Sequence, residues 1–285
     1  MEQNTIDAGD FREAQRNQWD TAASGWSKWE NLMDPATRAV SDRLVEMAGV
    51  GAGGRVLDVA AGLGEPSLTA ARVVGGEGQV VATDISAEML EFGQKRAADA
   101  GVDNIEFVQC AGAALDFPAE SFDAAVSRWG IIFEPDGEGT AARVRGFLKP
   151  GSRMAISSWG PPDRVPMLGI PVRTLIDLLG VAPPPPGTPG PLSRPTPEAI
   201  GGLLEGGGFS DIEVEELEVV LEYDSPEDFT TFIKEIAPPV TAMIEPHPPE
   251  RQEEAWNAIT EAVREASGGG QVRFSNLALV AAGRA

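Results

Sequence analysis

The chain of 285 residues has one cysteine, one histidine, one tyrosine and four lysines (Lys28, Lys95, Lys149, Lys234). A single Cys110 excludes an internal disulfide and any cysteine-cluster metal site. No apolar run reaches the ~18 residues a membrane span needs, so no span is expected. Basic residues are half as numerous as acidic ones, 22 against 44, for a net charge of −22. Nucleic acid demands a clustered Lys/Arg surface and an anionic bilayer demands basic patches, so neither partner is expected. The polar, acidic start MEQNTIDAGDFREAQ is unlike a signal peptide, and the cytoplasm is the expected compartment. What remains is 42% hydrophobic and 23% charged, the balance of a folded globular protein.

Gly49–Gly54 opens an alternation of strands and helices. Arg55–Ala61 is apolar and bounded by glycine, as a buried parallel strand requires. A helix is expected over Glu65–Val74, a strand over Gln79–Ile85, and a helix from Ala87 to about Ala100, capped by Ser86 and stopped by Gly101. Strands at Asn104–Gln109, Phe122–Ser127 and Arg153–Trp159 follow, with a helix near Gly139–Leu148 before the last. This spacing predicts an α/β chain with a doubly wound, Rossmann-like, mostly parallel sheet. The rhythm breaks at Gly160, where an apolar helix near Met167–Leu179 leads into the stiff connector APPPPGTPGP. It resumes with a helix at Pro197–Glu205 and a strand near Ile212–Leu221. Helices over Ser225–Ile236 and Arg251–Ala266 precede a last strand at Gln271–Ala281. The expected division is an N-terminal helical lid (1–48), a cofactor-binding core (49–159), a cap insertion (160–196), and C-terminal core strands (197–285) with a helical insertion at about 225–268.

The strongest local signal is Val56-Leu57-Asp58-Val59-Ala60-Ala61-Gly62-Leu63-Gly64-Glu65-Pro66, a strand turning on small residues into a helix. Such a turn lets a ligand approach the backbone, and the free helix amides favour an anionic oxygen. Three readings compete: a plain strand–helix turn, a dinucleotide site, and an S-adenosylmethionine site. The dinucleotide fingerprint wants a third glycine where Ser67 stands. Asp84, ending the second strand, can accept both hydroxyls of a ribose lying across the strand ends, although a carboxylate there also serves as a helix cap. Ile85 and Met89 offer apolar faces to an adenine ring. Coupled to the glycine turn, Asp84 favours the nucleoside reading.

The stretches VLDVAAGLGEPSL, VVATDISAEML, NIEFVQCAGAALDFPAESFDAAVSRWGIIFEPD and GFLKPGSRMAISSW together resemble class I S-adenosylmethionine-dependent methyltransferases. They are most similar to the small-molecule group typified by the ubiquinone/menaquinone C-methyltransferases. The resemblance spans roughly Trp19 to Trp159 and implies a seven-stranded sheet and S-adenosyl-L-methionine as cofactor. It implies that the turn through Asp58, Ala60, Gly62 and Gly64 holds the methionyl part, that Asp84 takes the ribose hydroxyls, and that Ile85 packs on adenine. It also sets Ser127 beside the transferring methyl. Two positions depart from the family pattern. Ala60 replaces the first glycine, and Cys110-Ala111-Gly112 replaces a Gly-Asp-Ala whose Asp accepts the adenine amino group. Backbone contacts from Gly112 and Ala113 remain available, and Asp116 is a substitute acceptor.

For the acceptor, Trp19, Trp26 and Trp29 fall at spacings of seven and three, one helical face. The resemblance likens this segment to a lid whose Trp26 and Trp29 contact cofactor or acceptor. Arg128 and Trp129 follow the fourth strand. An Arg there pairs with an acceptor carboxylate or enolate oxygen, or forms a structural ion pair. Apolar helices carrying Met167, Leu168, Phe229, Phe232 and Ile236 suit a hydrophobic acceptor. His247, Tyr223, Glu134 and Asp136 are the base candidates, and none is assigned. No metal is expected. The expected function is methyl transfer to a small hydrophobic or aromatic acceptor by a monomer or homodimer. A pericyclase-like scaffold that binds the same cofactor is the first alternative, and a nicotinamide-dependent oxidoreductase the second.

Overall fold

The computed structural model describes residues 8–183, 185 and 187–285. The first seven residues of the expected lid, which are also the first seven of the fifteen-residue polar N-terminal start, and two prolines of the connector lie outside these. The described elements are α1 (Ala8–Lys28), α2 (Glu30–Met47), β1 (Arg55–Val59), α3 (Ser67–Val74), β2 (Gln79–Asp84), α4 (Ala87–Asp99), β3 (Ile105–Gln109), β4 (Phe122–Arg128), α5 (Gly137–Phe147) and β5 (Leu148–Trp159). After these come α6 (Pro166–Leu179), α7 (Pro197–Gly206), β6 (Ser210–Tyr223), α8 (Pro226–Ile236), α9 (Pro238–Ile244), α10 (Pro249–Ser267) and β7 (Val272–Arg284).

The strands form one sheet in the order β3-β2-β1-β4-β5-β7-β6. The first five run parallel. β7 is antiparallel to both β5 and β6, so the expected mostly parallel sheet is observed with a reversed strand set into one side. Buried on both faces, Val56–Val59 of β1 and Ala124–Ser127 of β4 are apolar apart from Asp58 and Ser127, with the charged Arg55, Asp123 and Arg128 only half-buried nearer the strand ends. One contiguous apolar cluster joins the sheet to α2, α6, α8 and α10.

Local chemistry sets the helix ends. Ser86 caps α4 by accepting the Met89 N–H at 3.1 Å, Thr196 caps α7, and Ser225 caps α8, each meeting an amide the helix itself leaves unpaired. Gly180 and Gly268 end α6 and α10 in the left-handed conformation. α9 is absent from the periodicity reading. It opens on Pro238-Pro239, where missing N–H groups cost nothing because a first turn leaves them unpaired.

α2 lies against β4, β5, β6 and β7, whereas α1 packs on α4, α8 and α9. The N-terminal segment is thus split at Trp29 (φ −95°, ψ 9°) into one helix on the sheet and one bridging the two halves of the molecule. Among the described residues no helix is long and apolar enough to cross a membrane.

Candidate functional site

Where β1 ends, the backbone turns through Ala60 (φ 58°), Gly62 (φ 54°) and Gly64 (φ 95°). Glycine takes this left-handed geometry freely, and an alanine takes it at a cost. Behind the turn the helix α4 approaches closely: a Cβ built on Gly93 would meet the Phe107 ring at 2.9 Å and the Leu63 carbonyl carbon at 3.3 Å. In front, a Cβ on Gly62 would meet nothing within 4 Å, because that side faces a cavity.

The cavity lies beyond the carboxyl ends of β1, β2 and β4, and about 1450 Å³ of empty space, its open mouth included, falls inside it. Along one wall run Ala60, Gly62, Leu63, Glu65, Asp84, Ile85, Met89, Cys110, Gly112 and Glu134. The other end is made by Met33, Arg128, Trp129, Trp159, Met167, Leu168, Ile236 and Val240. α1 lies across the opening with Gln15, Trp19 and Trp26.

Asp84 is held from two sides, its Oδ2 accepting the Gly62 N–H and its Oδ1 the Ser86 N–H, both at 2.9 Å. Each oxygen keeps acceptor capacity for a ligand hydroxyl. Burial pushes its carboxyl up to about 6 against the pull of those amides. Asp58 lies outside the cavity lining. Its Oδ2 accepts the Ser67 hydroxyl at 2.6 Å, while its fully buried Oδ1 has no partner. Burial raises this carboxyl further, to about 7.

Arg128 projects into the cavity. Its guanidinium donates to the Thr37 and Ser41 hydroxyls, both at 2.9 Å, and no carboxylate lies within ion-pair distance among the described residues. Burial lowers its pKa. Trp129 follows with a positive φ of 53°, its N–H on the Ser157 hydroxyl at 3.0 Å. Its ring stacks on Trp159 with centroids 4.3 Å apart and planes at 11°, so two broad apolar rings meet in the cavity wall.

Of the expected site residues, Ala60, Gly62, Asp84, Ile85, Met89, Gly112, Trp26, Arg128 and Trp129 line the cavity. Asp58, Gly64, Ala113, Ser127 and Trp29 lie outside the lining. Ser127 instead clasps two segments, its hydroxyl donating to the Val59 carbonyl at 2.8 Å and accepting the Ile131 N–H at 3.0 Å. Trp29 donates to Glu235 Oε2 at 2.5 Å and sits edge-on to Phe232, so it docks the helix junction onto α8. Trp26 also donates to α8, at the Ile236 carbonyl (3.0 Å).

Among base candidates, Asp136 caps α5, and Tyr223 is buried beside Phe229 and Phe232, its hydroxyl unpartnered and its pKa driven upward by desolvation. His247 lies off the cavity lining. Asp116 is exposed. Sequence reasoning missed Trp159, Met33, Glu30, Asp34, Glu65 and Arg96 as lining residues, and it named Trp19 without setting it at the site. Trp159 carries a signal in hindsight: it ends the strand next to β4, level with Arg128 and Trp129. Glu30 and Asp34 lie one helical turn apart on α2 and pair with Arg96, a contact between distant segments that no local pattern encodes. No group of three or more His, Cys, Asp or Glu among the described residues could hold a metal ion.

The strand order and the cleft at the strand ends define the fold of S-adenosylmethionine-dependent methyltransferases. A phosphoethanolamine N-methyltransferase 2 from Haemonchus contortus, solved with phosphomonomethylethanolamine and S-adenosylhomocysteine, superposes with a TM-score of 0.56 at 18% identity, over 98% of this chain and 60% of that one. The [4+2]-cyclase SpnF superposes at 0.54 with 16% identity, over 93% and 96%. At these identities the likeness is one of fold.

Residues 35–165, from α2 to the start of α6, match the model of the ubiE/COQ5 methyltransferase family, so the resemblance read in the sequence holds for that stretch. The ubiquinone/menaquinone biosynthesis C-methyltransferase UbiE of Hahella chejuensis is 34% identical over 146 residues, 50% of this chain and 59% of the relative. The chain spans between 46% and 65% of the length of the curated relatives it matches.

Proposed function

We propose that the protein transfers a methyl group from S-adenosyl-L-methionine to a small hydrophobic or aromatic acceptor, at carbon or oxygen. The observation that carries this reading is the charge of the wall around Asp84. Five carboxylates line the cavity (Glu30, Asp34, Glu65, Asp84, Glu134) against two guanidinium groups (Arg96, Arg128). Glu65 stands just ahead of α3, its Oε2 held by the Thr69 hydroxyl at 2.8 Å. A dinucleotide would bring its pyrophosphate to that helix start, against a carboxylate, whereas a sulfonium nucleoside brings an ammonium. This disfavours the nicotinamide reading.

The residues present fit such a cofactor, since the cradle at Gly62 is open where a side chain would fill it. Asp84 would accept the ribose hydroxyls, Ile85 and Met89 would flank the base, and the turn from Ala60 to Gly64 would carry the methionyl part. Asp58 and Ser127 brace that turn from behind. The cofactor, when bound, supplies an activated methyl group on a sulfonium, ready for in-line displacement. The protein's part is alignment and exclusion of water. Trp26, Trp129, Trp159, Met167 and Leu168 would hold an apolar acceptor, and Arg128 its anionic oxygen. The proton acceptors that line the cavity among the described residues are carboxylates, with no His, Lys or Tyr, so the reading calls for an acceptor acidic enough to lose its proton to a carboxylate, or already ionised, when Arg128 holds its oxygen. Quinone-like or secondary metabolism supplies acceptors of that kind. The cytoplasm is the expected compartment, and a monomer or homodimer the expected state.

Calorimetric titration with S-adenosylhomocysteine and with NAD tests the reading. Micromolar binding of the nucleoside is expected, absent for NAD and weakened at least ~100-fold by Asp84→Ala, which removes two charge-assisted hydrogen bonds. Binding of NAD, or none by the folded wild type, overturns it. Nucleoside binding without methyl transfer to any of a panel of phenols, quinols and enols would favour the non-transferring alternative.

A further inference from the structure

Glu134 follows β4 through a short 3-10 turn (Ile131–Phe133). In the strand order β3-β2-β1-β4 its origin lies about 14 Å from β3, three strand spacings away. Its carboxylate nevertheless reaches the segment after β3, where Oε1 accepts the Gly112 N–H at 3.1 Å and the nearby Ala113 N–H favours its charged form. The seat is shaped for it: a Cβ on Gly112 would lie 2.7 Å from that oxygen. Among the described residues no cation pairs with it within 4 Å. A single such donor leaves a carboxylate with spare acceptor sites, and Glu134 lines the cavity together with Cys110 and Gly112. The Cys110 N–H donates to the Asp84 carbonyl at 2.8 Å, so this carboxylate stands one strand beyond Asp84, on the side where Ile85 also lies.

We propose that Glu134 is the acceptor for the exocyclic amino group of the cofactor's base, and so selects a 6-aminopurine over a 6-oxopurine. The inference rests on the S-adenosylmethionine reading and deepens it. With the ribose hydroxyls on Asp84 and the base between Ile85 and Met89, the amino group is the only hydrogen-bond donor on the ring edge. The Gly112 N–H is engaged by Glu134, which places an acceptor on an edge otherwise presented by backbone donors. Asp116, the substitute that the sequence offers, is exposed and away from the cavity lining.

The test is the ratio of affinities for S-adenosylhomocysteine and S-inosylhomocysteine, measured calorimetrically on the full chain. The wild type should prefer the adenosyl compound by ~10- to 100-fold, the range for a hydrogen bond to a charged group. Glu134→Gln keeps an acceptor for the Gly112 N–H and presents an amide that also donates, so the ratio should fall at least ~10-fold with the melting temperature little changed. A role confined to bracing the Gly112 turn would lower both affinities together and leave the ratio intact, which overturns the proposal. Equal binding of the two compounds by the wild type overturns it without any variant. If the wild type binds neither, the cofactor reading itself fails, and the inference falls with it.

Discussion

A Cβ built on Gly130 would lie 2.4 Å from the Cβ of Ala60, so the alanine at the start of the ligand turn and the glycine after β4 exclude each other's growth. Ala60 sits at φ 58°, where glycine is at ease, and Gly130 sits at φ −97°, where alanine would be. Conformation and packing therefore pull in opposite directions at this junction between β1 and β4.

Ala60→Gly should stabilise by about 0.5–1 kcal/mol, the relief of a left-handed alanine less the entropy of the added glycine. Gly130→Ala should cost about 1–3 kcal/mol through overpacking. The double variant should recover part of that loss, since the Ser127 hydroxyl (2.9 Å) and the Val59 carbonyl (3.0 Å) still crowd the site. Chemical denaturation of the four proteins measures the coupling. Simple additivity would show that the two sites do not communicate.

Two buried carboxylates make stability depend on pH in a definite direction. Burial holds Asp84 at about 6 and Asp58 at about 7, both above the ~3.9 of an unfolded aspartate. The folded state therefore keeps protons that the unfolded chain has released. Their stabilisation is complete below pH ~3.9 and is lost as the pH rises through about 6 for Asp84 and about 7 for Asp58. Asp58→Asn, which keeps an acceptor for Ser67, should melt a few degrees above the wild type at pH 8, the gap shrinking to about a third of that by pH 5 and closing only near pH ~4. A constant gap across that range would show that Asp58 does not titrate there.

The same raised value at Asp84 bears on binding. A ribose wants the ionised form, so affinity for S-adenosylhomocysteine should decline as the pH falls below about 6. A flat profile between pH 5 and 8 would place the hydroxyl contacts elsewhere.

Arg128 is a cation whose polar partners are two hydroxyls. Arg128→Leu should leave affinity for S-adenosylhomocysteine within about threefold and lower turnover of an anionic acceptor at least ~10-fold. Loss of nucleoside affinity instead would assign the guanidinium to the cofactor's own carboxylate. Circular dichroism melts control for the lost contacts to Thr37 and Ser41.

Much of this was legible in the chain before any coordinates. The run Val56–Val59, the three small residues of the turn and Asp84 are local patterns, because a buried parallel strand must be apolar and a tight turn must be small. Each helix cap named from sequence lies within a few residues of its partner, so short-range chemistry sufficed. Legibility ended where contacts join distant segments. Ser127 looked like a ligand residue and is a clasp between β1 and the turn after β4. Trp29 shared a helical face with Trp26 on paper, yet the break between α1 and α2 turned it to Glu235. Glu134 looked like a loop cap, and its bond to the Gly112 N–H appeared only when the sheet order brought the segments after β4 and β3 together.

The chain alone determined the alternation, the small-residue turn after β1 and the acidic balance, all set by composition, hydrogen bonding and burial over a few residues. The tertiary structure decided which side chains face the cavity, where β7 inserts in reverse, and that the half-buried Arg128 guanidinium and the buried Asp84 carboxylate line one cleft. Those outcomes depend on strand order and packing, which sum weak interactions over the whole molecule and leave no mark in any single stretch of sequence.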